Sequence, residues 1–182
     1  MGVRLTVWGR RFQHDTVAVS AIDREVVRSI RRGSVLAVSQ KWDLRFLELA
    51  KHIASWSKDP STQVGCVVVG SDREIRSTGF NGLPRGIEDS YERLNDRNLK
   101  YPLICHAEEN AIMHAARVGV PLRDCRAYVT WPPCTRCARS LVQAGVREVV
   151  YPAGLDIPDR WQDDFRLSLL LLDEAGIIVR AV

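Results

Sequence analysis

Two short segments of the chain carry the residue types of a catalytic metal site. The first contains His106 and Glu108, and the second reads P-C-T-R-C at residues 133–137, with Cys134 and Cys137 three residues apart. One imidazole and two thiolates can hold a zinc ion while its fourth position stays open for water. We therefore predict His106, Cys134 and Cys137 as zinc ligands, with Glu108 as the general acid–base.

A closed structural zinc site is the alternative, and it needs a fourth protein ligand. The candidates are Cys105, His114 and Glu108 itself. Cys105 directly precedes His106, and neighbouring residues of a strand point to opposite sides. His114 lies about two helical turns further on. Neither reaches the same ion easily, so we predict an open position, and we interpret Glu109 as part of a solvated helix face.

Both segments are predicted to open helices. Pro133 directly before Cys134 suits a helix start, and the positive end of the helix dipole favours an ionised thiol. A separation of three residues is almost one turn, so both sulfurs can face the same point. Two helix N-termini would then converge on one ion at the carboxyl ends of adjacent strands, where open α/β sheets usually bind ligands.

The hydrophobic pattern along the chain predicts the α/β class. Strands are predicted at 64–69, 75–80, 125–130, 148–151 and 177–182, and helices at 42–56, 106–119, 135–144 and 160–173. The helix between strands four and five makes that pair parallel. The result is a three-layer α/β/α sandwich around a five-stranded mixed sheet, with a glycine- and proline-rich loop at 81–86 and a polar connection at 88–100.

Composition and cysteine usage restrict the class of protein. The chain has 182 residues, 46% hydrophobic and 26% charged, as in an ordinary soluble domain. No apolar run approaches the roughly 20 residues that span a bilayer, and the N-terminus lacks the features of a secretory signal. Five cysteines with one C-x-x-C fit a reducing cytoplasm and a metal site, with Cys66 and Cys125 as buried thiols.

Charge separates residues 1–40 from the rest. They hold seven of the 26 basic side chains and three of the 22 acidic ones, so residues 41–182 are balanced, with 19 of each. Polymeric nucleic acid needs a basic surface, and the neutral body favours a small ligand. We assign 1–40 as a basic extension without an assigned role, with weak strands at 3–7 and 17–21 and a short helix at 23–32. Residues 41–182 are the catalytic domain.

From about residue 41 to 182 the sequence resembles the deoxycytidylate (dCMP) deaminases of the cytidine deaminase superfamily. The H-x-E and P-C-x-x-C motifs are shared by zinc deaminases in general. More specific are S-K-D-P-S-T-Q-V-G at 57–65, G-F-N-G-L-P-R-G at 79–86 and Y-P-L-I-C-H-A-E-E-N-A-I at 101–112. The resemblance implies the cytidine deaminase-like fold and hydrolysis of dCMP to dUMP and ammonia in pyrimidine deoxynucleotide metabolism. It carries the same zinc ligands and proton shuttle over to this chain.

The resemblance also implies substrate contacts. Asn81 matches a loop asparagine that touches the substrate near the sugar in related deaminases; alternatively it is a turn residue that tolerates positive φ before Gly82. Trp131 either lines the base pocket or caps the sheet. Lys58 and Arg85 are the predicted contacts to the 5′-phosphate, and each is also explained as a surface charge.

Members of the family are often multimers regulated by dCTP and dTTP. We therefore expect a cytoplasmic homo-oligomer with one catalytic zinc ion, dCTP and dTTP as effectors, and Mg²⁺ accompanying a regulatory nucleotide. Two alternatives stay open. One is a zinc deaminase for another cytosine or adenine substrate, including a nucleoside, single-stranded nucleic acid or tRNA. The other is a catalytically silent subunit that binds zinc or a nucleotide.

Overall fold

A computed structural model describes residues 40–182. The predicted basic extension, with its two weak strands and its short helix, lies outside the described residues. Within residues 40–182 no helix is long and apolar enough to cross a membrane.

Five strands and six helices make up the described part of the chain. The strands are β1 (Gly65–Val69), β2 (Ile75–Phe80), β3 (Arg126–Val129), β4 (Glu148–Tyr151) and β5 (Ile178–Ala181). The helices are α1 (Gln40–Ala54), α2 (Tyr91–Asn95), α3 (Arg97–Leu103), α4 (Ala107–Val118), α5 (Thr135–Gln143) and α6 (Asp159–Glu174). The strands form one sheet in the order β2-β1-β3-β4-β5.

The sheet is mixed, as predicted. β1 pairs antiparallel with β2 and with β3, whereas β3, β4 and β5 run parallel. The parallel pairing of β4 and β5 confirms the prediction drawn from the helix between them. The carboxyl ends of β3 and β4 therefore lie at one edge of the sheet, and the segment that follows β3 leads into α5.

Apolar side chains on both faces of the sheet give three layers. β1 is buried along its whole length: Cys66 and Val68 pack on one face, Val67 and Val69 on the other. The second face carries α1, through Phe46, Leu47, Ala50 and Ile53. The face with Cys66 and Val68 carries α4, α5 and α6. The side chains that pack there are Ala107, Ala111, Ala115, Ala138, Leu141 and Leu172. A strand covered on both faces has a continuous apolar sequence, which is why the run at 64–69 was recognisable.

The polar connection predicted at 88–100 is wrong in part, because it contains two short helices. Ser90 caps α2 by accepting a hydrogen bond from the backbone N–H of Arg93, and Asp96 caps α3 in the same way from Asn98. Few apolar residues face inward here, so the segment lacks the periodicity that marks the longer helices. α1 was predicted at 42–56 and spans Gln40–Ala54 instead.

The absence of a side chain at Gly79 brings α4 close to the sheet. A Cβ at this position of β2 would overlap the carbonyl oxygen of Ala107 and the backbone nitrogen of Ala111. Those atoms belong to the first two turns of α4, the helix that starts after His106. Gly79 therefore sets the height of α4 above β2 and, with it, the position of His106.

We expect Gly79→Ala to lower the free energy of unfolding by about 2 kcal/mol, because the added methyl group meets backbone atoms that cannot rotate away. Activity should fall as well, since α4 must move. Urea denaturation measures the change. Gly82→Ala is the control, because a Cβ there would have Phe80 as its nearest neighbour, at 3.9 Å. Equal stability of Gly79→Ala and the unmodified chain would contradict the prediction.

Candidate metal centre

The two predicted segments meet at the N-termini of α4 and α5. His106 is the N-cap residue of α4 and Cys134 is that of α5. His106 Nδ1 lies 3.3 Å from Cys134 Sγ and 3.3 Å from Cys137 Sγ. The three donor atoms all lie within 4.8 Å of one another. The structure thus brings together residues that are 28 and 31 positions apart in the chain.

The chemistry and spacing of these donors fit a zinc ion. Tetrahedral zinc with ordinary Zn–N and Zn–S bonds places nitrogen and sulfur about 3.5 Å apart, close to the distances observed. Within residues 40–182, this group of possible metal ligands consists of His106, Cys134 and Cys137 alone. His114 Nδ1 instead lies 3.4 Å from the carbonyl oxygen of Thr78.

The pKa values of the two thiols are shifted in opposite directions. The hydrogen bond with Cys137 lowers the pKa of Cys134 to about 4, against the effect of burial, and contact with His106 lowers it further. The hydrogen bond with Cys134 raises the pKa of Cys137, and burial raises it further. In the absence of a metal ion, therefore, only Cys134 is expected to ionise near neutral pH. The charge of a bound metal ion is what allows both sulfurs to ionise together.

Glu108 is buried beside these donors, with 3% of its surface exposed. Burial raises the pKa of its carboxyl to about 7, although its own backbone and His106 act in the opposite direction. A carboxyl that changes protonation state near neutral pH is well suited to move protons. Glu108 occupies the second position of α4, so the helix that begins after His106 also fixes this carboxyl.

Helix α6 holds the start of α5 in place. Asp164 accepts hydrogen bonds from the backbone N–H of Thr135 at 3.1 Å and from its hydroxyl at 2.6 Å. Ser168 donates to the carbonyl oxygen of Pro133 at 2.6 Å. Sequence reasoning missed both α6 residues, because nothing in a single sequence links them to a turn about 30 residues earlier.

Glu109 does not belong to a solvated helix face, so that interpretation was wrong. Only 15% of its side chain is exposed. One carboxylate oxygen accepts from the backbone N–H of His106 at 3.2 Å, and the other accepts from Arg136 Nε at 2.6 Å. The capping-box spacing of a glutamate three residues after the N-cap could have revealed the first contact.

The loop after β2 runs beside the metal centre. Gly82 and Cys105 exchange two backbone hydrogen bonds, of 3.0 and 2.9 Å, which place this loop next to the residue before His106. Asn81 is buried, and its side chain accepts from the Val64 N–H and donates to the Thr62 carbonyl. Its φ is not positive, so the turn interpretation lacks its reason, while the substrate contact stays a prediction.

A buried ion pair between Lys100 and Asp59 holds the side chain of Asn81 in place. Lys100 donates to Asp59 at 2.6 Å, and only 8% and 3% of the two side chains are exposed. Asp59 Oδ2 also accepts from Asn81 at 3.2 Å. Burial raises the pKa of Asp59, but hydrogen bonds from Lys100, Ser61 and Thr62 outweigh it and hold the pKa below its ordinary value.

We expect Lys100→Met to lower the free energy of unfolding by about 3 kcal/mol, because it leaves the buried Asp59 carboxylate unpaired. Lys58→Met removes the ion pair with Asp89, in which the lysine side chain is 71% exposed. It should change stability by less than about 1 kcal/mol. Urea denaturation of both variants gives the comparison, and equal losses would contradict the structural role of the buried pair.

The contacts of the other three predicted substrate residues do not decide their roles. Trp131 is half-buried, with its ring 6.4 Å from that of Phe165 in α6. Lys58 binds Asp89 at 2.7 Å, so it would have to exchange partners to bind a phosphate. Arg85 is exposed in the loop after β2. All three stay predictions.

Comparisons with known proteins agree with this geometry. Residues 40–153 match the model of the cytidine and deoxycytidylate deaminase zinc-binding region. The chain is 42% identical over 140 residues to a deaminase encoded in the luxG 3′ region of Aliivibrio fischeri, covering 76% of this chain and 92% of that protein. It is 36% identical over 147 residues to human deoxycytidylate deaminase, covering 77% and 79% of the two chains.

Solved structures include a similar fold. The dCMP deaminase of cyanophage S-TIM5, crystallised with dCMP and dUMP, aligns with a TM-score of 0.67 at 23% identity. The alignment covers 80% of this chain and all of that one. The predicted five-stranded mixed sheet with parallel β4 and β5 is confirmed by the sheet of this chain, and the similarity to this structure confirms the predicted cytidine deaminase-like fold.

Proposed function

The chain belongs to the cytidine and deoxycytidylate deaminase family, and we propose that it is a zinc-dependent enzyme that hydrolyses dCMP to dUMP and ammonia. The observation that carries this proposal is the convergence of His106, Cys134 and Cys137 beside the buried Glu108. The deoxycytidylate deaminases among its relatives indicate which cytosine compound is the substrate.

The three ligands and the glutamate have separate tasks in this reaction. His106, Cys134 and Cys137 would hold the zinc ion, which would supply a positive charge that lowers the pKa of the attacking water. Glu108 would take one proton of that water and deliver it to N3 of the cytosine ring as the water oxygen bonds to C4. It would then move the second proton of the same water to the 4-amino group, so that the C4–N bond breaks, ammonia leaves and the oxygen remains at C4. Since Glu108 is buried, bulk water does not compete for these protons.

Substrate selection would fall to the surrounding loops. We place Asn81 near the sugar, Trp131 at the base, and Lys58 and Arg85 near the 5′-phosphate. The hydrogen bonds between Gly82 and Cys105 support this placement for Asn81 and Arg85, because they put the loop after β2 beside His106.

Ammonia release from a panel of substrates tests the proposal. The panel consists of dCMP, CMP, deoxycytidine, dCTP and a cytosine-containing oligonucleotide, each at several concentrations. We expect the highest kcat/KM with dCMP. Turnover of the oligonucleotide alone would transfer the assignment to a nucleic-acid deaminase. Zinc binding without turnover of any compound would indicate a silent subunit.

We also propose that the enzyme is a cytoplasmic homo-oligomer with dCTP and dTTP as effectors and with Mg²⁺ accompanying the regulatory nucleotide. Support comes from the G-F-N-G-L-P-R-G loop, which resembles the loop near the regulatory nucleotide in related enzymes. All five cysteines are free, as suits a reducing compartment. Identical dCMP titration curves with and without dCTP and Mg²⁺ would contradict the regulatory part of this proposal.

A further inference from the structure

Glu109 connects the two halves of the metal centre. One half is the start of α4, which supplies His106, and the other is the first turn of α5, which supplies Cys134 and Cys137. Glu109 accepts the backbone N–H of His106 through Oε2 and Arg136 Nε through Oε1. Arg136 lies between the two cysteines in the sequence, so each carboxylate oxygen reaches a different ligand-bearing segment.

The geometry of these contacts suits a positioning role. The Arg136–Glu109 bond of 2.6 Å is short and charge-assisted, the strong class of hydrogen bond. Glu109 stands at the third position of α4, where a carboxylate both caps the helix and interacts well with its dipole. Residues that orient metal ligands from outside the coordination sphere commonly change metal affinity by about 10 to 100-fold when replaced.

We propose that Glu109 and Arg136 act as a clamp that holds the two ligand-bearing helix starts together and slows the loss of zinc. The inference rests on the proposed function only for the presence of a zinc ion, and not for the identity of the substrate. Glu109 does not touch the reacting atoms and is not a metal ligand. Its effect passes through the backbone of His106 and the first turn of α5.

The chain contains a matched control for this arrangement. Glu74 accepts a hydrogen bond from Arg76 Nε at 2.6 Å and another from the backbone N–H of Asp72 at 3.0 Å. Its two contacts are thus of the same kinds as those of Glu109. Glu74 lies in the turn between β1 and β2, next to the last residue of β1. The first residue of β1, Gly65, is at the other end of the strand. Its carbonyl oxygen accepts a hydrogen bond from the backbone N–H of Thr130, in the segment that leads to Cys134.

The test is the rate at which zinc leaves the purified enzyme in excess EDTA, followed as total protein-bound metal. Glu109→Leu and Arg136→Leu should each release zinc about tenfold faster than the unmodified chain. The double variant should match either single variant, because one substitution already breaks the clamp. Glu74→Leu should release zinc at the unmodified rate.

Unchanged release from both single variants would overturn the clamp, and so would independent, multiplicative effects in the double variant. Thermal unfolding of the zinc-free proteins separates positioning from general damage: the melting temperature of each zinc-free variant should lie within a few degrees of that of the zinc-free parent, as expected for the loss of one helix-cap contact. If Glu109→Leu fails to fold, Arg136→Leu and Glu109→Gln supply the same comparison. An enzyme that holds zinc but leaves dCMP intact would refute the proposed substrate, and the release rates would still decide the clamp.

Discussion

Glu108→Gln is expected to retain zinc and to lose most of its deamination of dCMP, with kcat reduced by about 10² to 10⁴-fold. Glutamine has nearly the same shape as glutamate, so the buried site should keep its packing. An amide, however, can neither take a proton from water nor pass one to the ring and the leaving amine. The loss should appear in kcat more than in KM, because the missing interaction belongs to the transition state.

Two measurements isolate this effect from damage to the fold. Zinc content and thermal unfolding of Glu108→Gln should both match the unmodified enzyme. Glu48→Gln on α1 is the control, since the Glu48 side chain is 69% exposed and pairs with Lys51 on the same helix. Glu108→Gln with full zinc and a kcat near that of the parent would refute the assignment of Glu108 as the proton shuttle.

Cys137→Ala is expected to remove the metal and, with it, the activity. The change deletes a direct ligand, so the zinc affinity should fall by more than the roughly 100-fold that supporting residues can cost. Metal binding also stabilises the folded state. Adding EDTA should therefore lower the melting temperature of the unmodified enzyme and leave that of Cys137→Ala unchanged.

Cys125→Ala is the matched control for the loss of a buried thiol. Cys125 is 2% exposed and packs in the same core as α4 and α5, but it lies just before β3, at the end of that strand away from the metal centre. This variant should lose some stability through the cavity it creates, and it should keep its zinc and its sensitivity to EDTA. A Cys137→Ala protein with full zinc occupancy would contradict the three-ligand centre.

The fold and the convergence of His106, Cys134 and Cys137 were predictable because their signals are local. A buried strand, an amphipathic helix and the C-x-x-C spacing can each be recognised in a short window of sequence. The parallel pairing of β4 and β5 followed from the helix between them. Convergence of His106 with Cys134 and Cys137 followed from placing both segments at helix starts on one edge of the sheet.

Contacts between distant parts of the chain were not predictable. Asp43 in α1 accepts from the Tyr128 hydroxyl at 2.9 Å and from Arg180 at 2.8 Å, across 85 and 137 residues. Glu148 binds both Arg126 and Arg180 at 2.6 Å. A charged residue on an amphipathic helix is normally expected in solvent. Only the packed structure shows that Asp43 is buried and paired. The contacts of Asp164 with Thr135 and of Glu109 with Arg136 were missed for the same reason.

The most direct test of the central claim is the turnover of dCMP by the purified zinc-loaded enzyme in water enriched in heavy oxygen, with the products analysed by mass spectrometry. Hydrolytic deamination predicts dUMP that carries heavy oxygen in its base and one ammonia for each dUMP formed. Glu108→Gln should form dUMP only at its strongly reduced rate, and the zinc-free enzyme should form none. Unchanged dCMP after incubation with the zinc-loaded enzyme, or dUMP formed equally well without zinc, would contradict the account.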